Sequence, residues 1–405
     1  MSHSALIAPI TEWLIDRALG QNDVCELFDT LCRKISGIGI PVKRGRLIWS
    51  TLHPLFQAET VIWDRGHPAT LEQFEHQDQA SDAWSNSPLK YILENRLEIV
   101  RRRLTGDNEM LDFPLTEQLA EQGFTDFVVL ATNLEGISFR LREGEQKDRG
   151  VMVTWATDKP EGFSDDDLAA LQRIQRRFSV ACKTVIQSRV SSNIAMTYLG
   201  KHAGTNVLNG QIRRGDGAKT KAVVWYSDLR NSTGLADTME ATRYFDLLNS
   251  FFMATAEPVV KNGGEILDFI GDAVLAIFPF EGDDELRSAA CAANAALVEA
   301  LQISDEANSE RERNGDERYK FGIGLNIGEV MFGNIGIPSR LTFSVIGPTV
   351  NEVARIESMT KLLQQNVLAN STFAELDPSK WKSVGEHKLN GVLEPMELFS
   401  FQRAE

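Results

Sequence analysis

Apolar residues over 1–37 recur at helical spacing. Leu6, Ile10, Leu14 and Ala18, then Cys25, Phe28, Leu31 and Ile35, fall three or four apart, and Gly37 and Gly39 end the pattern. Strand-like pieces follow at Arg46–Trp49 and Thr60–Trp63, separated by His53-Pro54. Residues 64–88 are polar and predict a loop or a ligand lid, and Arg101-Arg102-Arg103 reads as a solvated charged face. Phe127–Ala131 and Gly150–Trp155 read as central strands, with the charged stretch Arg140–Arg149 as their hairpin loop. Ser164 and Asp167 have the spacing of a capping box, which opens a further helix. On that helix Leu171, Ile174, Phe178, Ala181 and Val185 form an a/d seam. Such a seam serves either a second copy of the chain or the helix's own domain. The stretch from Ser191 to Thr220 is polar and glycine-bearing, as expected of a linker.

From Lys221 onward the pattern changes. It predicts a strand at 221–227, a helix near 238–261, strand-turn-strand over 265–278 and a helix near 283–307. A strand at 321–327 with a hairpin partner at 329–335, a strand at 341–346 and a helix at 349–363 follow. A strand–helix–strand–strand–helix–strand order is the ferredoxin-like or palm arrangement. The fold class is therefore α+β. The chain divides into a first domain over 1–187, a linker over 188–220 and a second domain over 221–405.

Composition narrows the partners. A net charge of −15 argues against nucleic acid and against an anionic membrane surface, both of which are held by clustered Lys and Arg. The four cysteines, Cys25, Cys32, Cys182 and Cys291, show no C-x-x-C spacing and read as reduced thiols. No stretch is apolar enough for a membrane span, and Asp16 and Arg17 interrupt the first apolar run, so a cytoplasmic location is expected.

The chemistry centres on the hairpin Gly263–Phe278, which carries Asp272 at its turn. An acidic turn residue is commonly turn chemistry alone. Here, however, Asp228 ends the apolar run Val223–Tyr226. If the two strands pair, both carboxylates meet at one sheet edge, a site suited to divalent cations.

Three segments, Tyr226–Thr233, Gly263–Phe278 and Phe343–Glu357, together resemble class III nucleotide cyclases over about residues 205–402. The resemblance implies closure of a nucleoside triphosphate to a 3′,5′-cyclic monophosphate with release of pyrophosphate. It implies Asp228, Asp272 and the backbone of Leu229 as ligands of two Mg²⁺ or Mn²⁺ ions, and Arg230, Asn231, Ser232 and Thr233 as a phosphate-facing turn. It implies Asn351 to orient the ribose and Arg355 to stabilise charge on the α-phosphoryl group. Metal and Asn/Arg sets come from different subunits in this family, so a head-to-tail homodimer is expected.

The base-reading positions depart from the family. Asp268 stands four residues before Asp272 where adenylate cyclases usually carry lysine, and Ser344 stands seven before Asn351. A carboxylate only accepts hydrogen bonds, which tilts toward guanine, while most bacterial relatives make the adenine product. ATP is expected ahead of GTP. Lys388 is the candidate for the triphosphate tail. The order of elements over about residues 20–187 is similar to a GAF-type sensor, with Asp158–Ser164 as the strongest local match, so a small-molecule or protein input is expected. A rival is a non-catalytic dimeric relay. A diguanylate cyclase, suggested by Gly263-Gly264-Glu265, is set aside because its acidic signature belongs in the turn.

Overall fold

The computed structural model describes residues 3–20, 23–76, 82–139, 148–337, 339–392 and 394–403. They fall into two compact units, 1–197 and 198–405.

In the first unit α1 (His3–Ala18) and α2 (Val24–Gly37) precede β1 (Arg44–Ser50), β2 (Phe56–Asp64) and β3 (Thr70–Glu75). Then come α3 (Asp82–Ser85), α4 (Pro88–Glu94), β4 (Ile99–Arg103), α5 (Pro114–Glu121), β5 (Asp126–Phe139), β6 (Asp148–Thr157) and α6 (Asp165–Leu199). The strands form one antiparallel sheet in the order β3-β2-β1-β6-β5-β4. One face carries a core of Phe28, Trp155 and Phe178, in which the Phe28 ring centroid lies 5.7–5.8 Å from the other two, and the other packs Ile92 and Leu119 against Val129. Ser164 and Asp167 make the expected capping box: the Asp167 N–H donates to Ser164 Oγ and the Ser164 N–H to Asp167 Oδ2.

Two expectations change here, and a reading left open is narrowed. Within 64–88 the chain forms a strand, β3, and the short α3; β3 is a polar edge strand, whose exposed face hides its pairing from a hydrophobicity pattern. Arg101 and Arg103 are not a solvated face. Their guanidinium groups donate to Asp126, which is fully buried, and to the carbonyls of Phe163 and Glu161, clamping the Asp158–Ser164 loop. Leu171, Ile174, Phe178 and Ala181 are buried in this unit's own core, so the a/d seam is the helix's inward face. Most of the loop expected at Arg140–Arg149 lies outside the described residues.

The second unit contains α7 (Lys201–Leu208), β7 (Gly217–Leu229), α8 (Ser232–Thr238), α9 (Ala241–Lys261), β8 (Glu265–Ile270), β9 (Ala273–Phe280) and α10 (Asp283–Arg313). It continues with β10 (Phe321–Ile337), β11 (Arg340–Ile346), α11 (Pro348–Leu362), β12 (Val367–Asn370), α12 (Ser371–Ala374), β13 (Trp381–His387) and β14 (Met396–Phe401). The sheet runs β13-β14-β12-β10-β7-β9-β8, with β11 paired to β10. Residues of α9 and α10 share a core with one face (Val223, Trp225, Phe251, Leu297), and α11 covers part of the other through Val353.

The linker stretch Ser191–Thr220 is helical through Leu199 and again over Lys201–Leu208, and its last residues already belong to β7. One expectation is corrected by the sheet. Residues 321–337 are one continuous strand rather than a hairpin. Gly328, which suggests a turn in the sequence, is instead a point of close approach: a Cβ there would lie 2.3 Å from Thr349 Oγ1 at the start of α11.

Candidate active site

The expected carboxylate pair forms. β7 and β9 run antiparallel with Asp228 opposite Ala273, and the Leu229 N–H donates to the Asp272 carbonyl at 3.3 Å, tying the strand end to the hairpin turn. The Asp272 carboxylate stands near enough to Asp228 to act on its charge. Burial, followed by the Asp272 charge, pushes the Asp228 carboxyl up from 3.8 to about 7. The Tyr226 hydroxyl is pushed up to about 12 by burial and by Asp228, Glu357 and Asp272, so the negative field covers this stretch of sheet.

A third carboxylate belongs to this field. Glu357 of α11 is 6% exposed and sits over Gly322, whose pairing partner on β7 is Asp228. Burial first, then Asp228, raises its carboxyl to about 7. By residue type alone Glu357 would be expected on the surface. Its position on the arc of Val353, Ile356 and Thr360 is the available signal that it faces inward.

At about 100° per residue, Asn351 and Arg355 fall together on the face of α11 opposite that arc. Both are exposed, and Arg355 makes no ion pair among the described residues. Within one chain they therefore point away from Asp228 and Asp272, with the helix between.

The remaining expected residues separate into groups. Asp268 is exposed on β8 opposite Leu275, which pairs with Tyr226, so Asp268 shares the sheet face of Tyr226 and Asp228. A bulge between Ile266 and Asp268 sets that register. Ser344 is half-buried on β11 opposite Gly333, and β11 also runs close to β8. Asn231 takes a left-handed backbone (φ 62°) at the cap of α8, with Ser232 and Thr233 in its first turn.

Arg230 departs from expectation. Its backbone N–H donates to the Lys320 carbonyl and its guanidinium to the Gln365 carbonyl, so the side chain is anchored inside the fold rather than offered to phosphate. Lys388 is exposed after β13, several strands away from β7, and is not brought to the carboxylate pair within one chain.

Residues 217–402 match the family model described as "Adenylate and Guanylate cyclase catalytic domain". This region is a class III nucleotide cyclase catalytic domain. Adenylate cyclase from Anabaena cylindrica is 32% identical over 160 residues, 39% of this chain and 31% of that protein. Adenylate cyclase 2 from Rhizobium meliloti is 29% identical over 199 residues, 48% of this chain and 52% of that protein. The chain thus spans about half or less of these relatives. The crystal structure of the adenylyl cyclase CyaB from P. aeruginosa aligns with 47% of this chain and 97% of its own, at 23% identity and a TM-score of 0.42. No helix among the described residues is long and apolar enough to cross a membrane.

The raised Asp228 carboxyl has a testable sign. A folded-state acidity shifted upward favours folding below the ordinary carboxylate range, and that contribution is lost as pH rises from about 4 to about 7. In metal-free protein, the melting temperature of Asp228→Asn relative to the unmodified chain is expected to climb across this window and level off above it. A difference independent of pH would mean that Asp228 titrates normally.

Proposed function

We propose that the chain is a sensor-regulated nucleotide cyclase converting ATP to 3′,5′-cyclic AMP and pyrophosphate. The observation that carries this is the Asp228–Asp272 pair, two carboxylates that the β7–β9 register brings together, where burial and then the Asp272 charge raise the Asp228 carboxyl. That donor set fits Mg²⁺ or Mn²⁺, which prefer a few carboxylates completed by substrate phosphates. Asp228 and Asp272, with the Leu229 backbone beside them, would hold the ions. Such ions lower the pKa of the ribose 3′-hydroxyl and neutralise charge on the transferring and leaving oxygens.

The chain's other residues bind and orient. Asn351 positions the ribose and Arg355 stabilises charge on the α-phosphoryl group. Both sit on the outward face of α11, so in this proposal they serve a nucleotide held by the carboxylates of a second copy. Asn231, Ser232 and Thr233 face the phosphates, and Asp268 and Ser344 face the base. Residues 1–187 act as a GAF-like sensor for a small-molecule or protein signal.

Purified protein incubated with Mg²⁺ or Mn²⁺ and either ATP or GTP is expected to yield cyclic AMP in excess. Absence of any cyclic product would leave the domain as a dimeric relay. The adenylate assignment is supported by relatives named adenylate cyclases. GTP is favoured by one observation, the exposed Asp268 on the site face of β8, which can accept from guanine N1–H and N2–H but cannot donate to adenine N1. Asp268→Lys is accordingly expected to raise the ATP-to-GTP ratio of kcat/KM roughly tenfold or more, the worth of a base-reading hydrogen bond to a charged group. An unchanged ratio would mean that position 268 does not read the base.

A further inference from the structure

The first unit contains a cavity of about 900 Å³ that the cyclase chemistry does not use. It opens where β4 begins and β5 runs on alone. Ile99 pairs with Leu130, the Ala131 N–H donates to the Glu98 carbonyl, and beyond that no described strand covers this side of β5. Thr132 lines the gap, and Gln175 of α6 lies beneath it.

Gln175 is 5% exposed. Its Nε2 donates to Thr132 Oγ1 at 3.2 Å, but its Oε1 is buried without a hydrogen-bond partner. A buried acceptor left unpaired loses its solvation without a replacement, so it marks a place where a donor is missing. Charge around the mouth reverses the character of the chain. Overall, acidic residues outnumber basic ones 57 to 42. Around the cavity stand Arg96, Arg173, Arg176 and Arg177, against Glu98 as the one carboxylate among the described lining residues. Arg96 is placed at the mouth by the left-handed turn (φ 53°) that ends α4, where its N–H donates to the Leu93 carbonyl and the Leu97 N–H to the Ile92 carbonyl.

We propose that this cavity binds a small organic anion that carries both an acid group and a hydroxyl or N–H donor. The arginine rim takes the acid, by the paired hydrogen bonding that guanidinium offers to carboxylate and phosphate alike. The Gln175 Oε1 takes the donor. The volume lies within the usual range for small-molecule sites, roughly 300–1,000 Å³. This binding site is separate from the cyclase reaction and stands or falls without it.

Citrate and glycerol 3-phosphate each combine an acid with a hydroxyl and serve as the two probes. Titration calorimetry is carried out on the full chain in EDTA, at an ionic strength held constant with NaCl. Saturable binding of one molecule per chain is expected for at least one of them; whichever binds more tightly identifies the acid as carboxylate or phosphate. The Arg176→Ala/Arg177→Ala double variant, altered only at exposed side chains, is expected to weaken that binding tenfold or more. Gln175→Met, similar in volume but without the acceptor, is expected to weaken it severalfold with the circular dichroism spectrum unchanged. No saturable binding of either probe, or binding that the double variant leaves unchanged, would overturn the proposal.

Discussion

Co-expressed chains carrying Asp272→Ala and chains carrying Arg355→Ala are expected to make cyclic nucleotide together, although neither does so alone. Each single change removes a group on which charge neutralisation depends, and a loss of about 10²–10³-fold or more is expected from either. The rescue follows from α11. Its inward arc, Val353, Ile356, Glu357 and Thr360, is buried, whereas Asn351 and Arg355 are exposed on the other side. A helix is about 10 Å across, so these two groups and the Asp228–Asp272 pair of the same chain do not converge on one α-phosphorus. On the proposed reading, each site of a two-fold assembly takes carboxylates from one copy and the Asn/Arg pair from the other. Random pairing makes half the dimers mixed, each with one intact site of two, so activity near a quarter of the unmodified level is expected. Mixtures no more active than the sum of the two variants would show that the sites are not shared. Two affinity tags on the two variants establish that mixed dimers are present in such a mixture, so that inactivity cannot come from a failure to pair.

The parts of this fold that are legible in the sequence are those governed by neighbours along the chain. The β8–β9 hairpin, the helix from Pro348 and the Ser164–Asp167 capping box each depend on residues a few positions apart, and each forms as expected. Asp228 and Asp272 are expected to meet because each sits at the end of a strand that a sheet must pair, and the β7–β9 register brings them together. Features decided by distant partners are not legible in this way. Arg101 reads as a surface charge until Asp126 is seen beneath it, 25 positions later. Nothing local to Arg230 shows that its guanidinium reaches the Gln365 carbonyl, 135 positions away. Gly328 carries two meanings, turn and close contact, and only the location of α11 chooses between them. Glu357 misleads for a different reason. A carboxylate is expected on the surface, and that expectation of type outweighs the helical arc that buries it.

That same seating of α11 gives the second large effect, a loss of both stability and turnover in Gly324→Ala. Gly324 lies on β10 opposite Tyr226, under the middle of the helix. An added Cβ would stand 2.6 Å from the Val353 carbonyl oxygen, 2.8 Å from the Glu357 backbone nitrogen and 3.2 Å from its Cα. These are backbone atoms of one helical turn and cannot swing aside as a side chain does. The methyl group therefore has to push α11 off the sheet, and overpacking of this kind costs about 1–3 kcal/mol. Turnover is expected to fall further than stability accounts for. Asn351 and Arg355 move with the helix, and a displacement of about 1 Å at a positioning group can cost roughly 10²-fold. Gly322→Ala supplies the comparison. There the new methyl meets the Glu357 Oε1 and Thr360 Oγ1, which are side-chain atoms with rotamers to use. It is expected to lower stability while leaving more of kcat, because the helix axis need not shift. Unfolding midpoints and kcat measured on both variants separate the two effects. Equal kcat losses at equal stability loss would mean that the spacing between α11 and β10 does not set the position of Asn351 and Arg355.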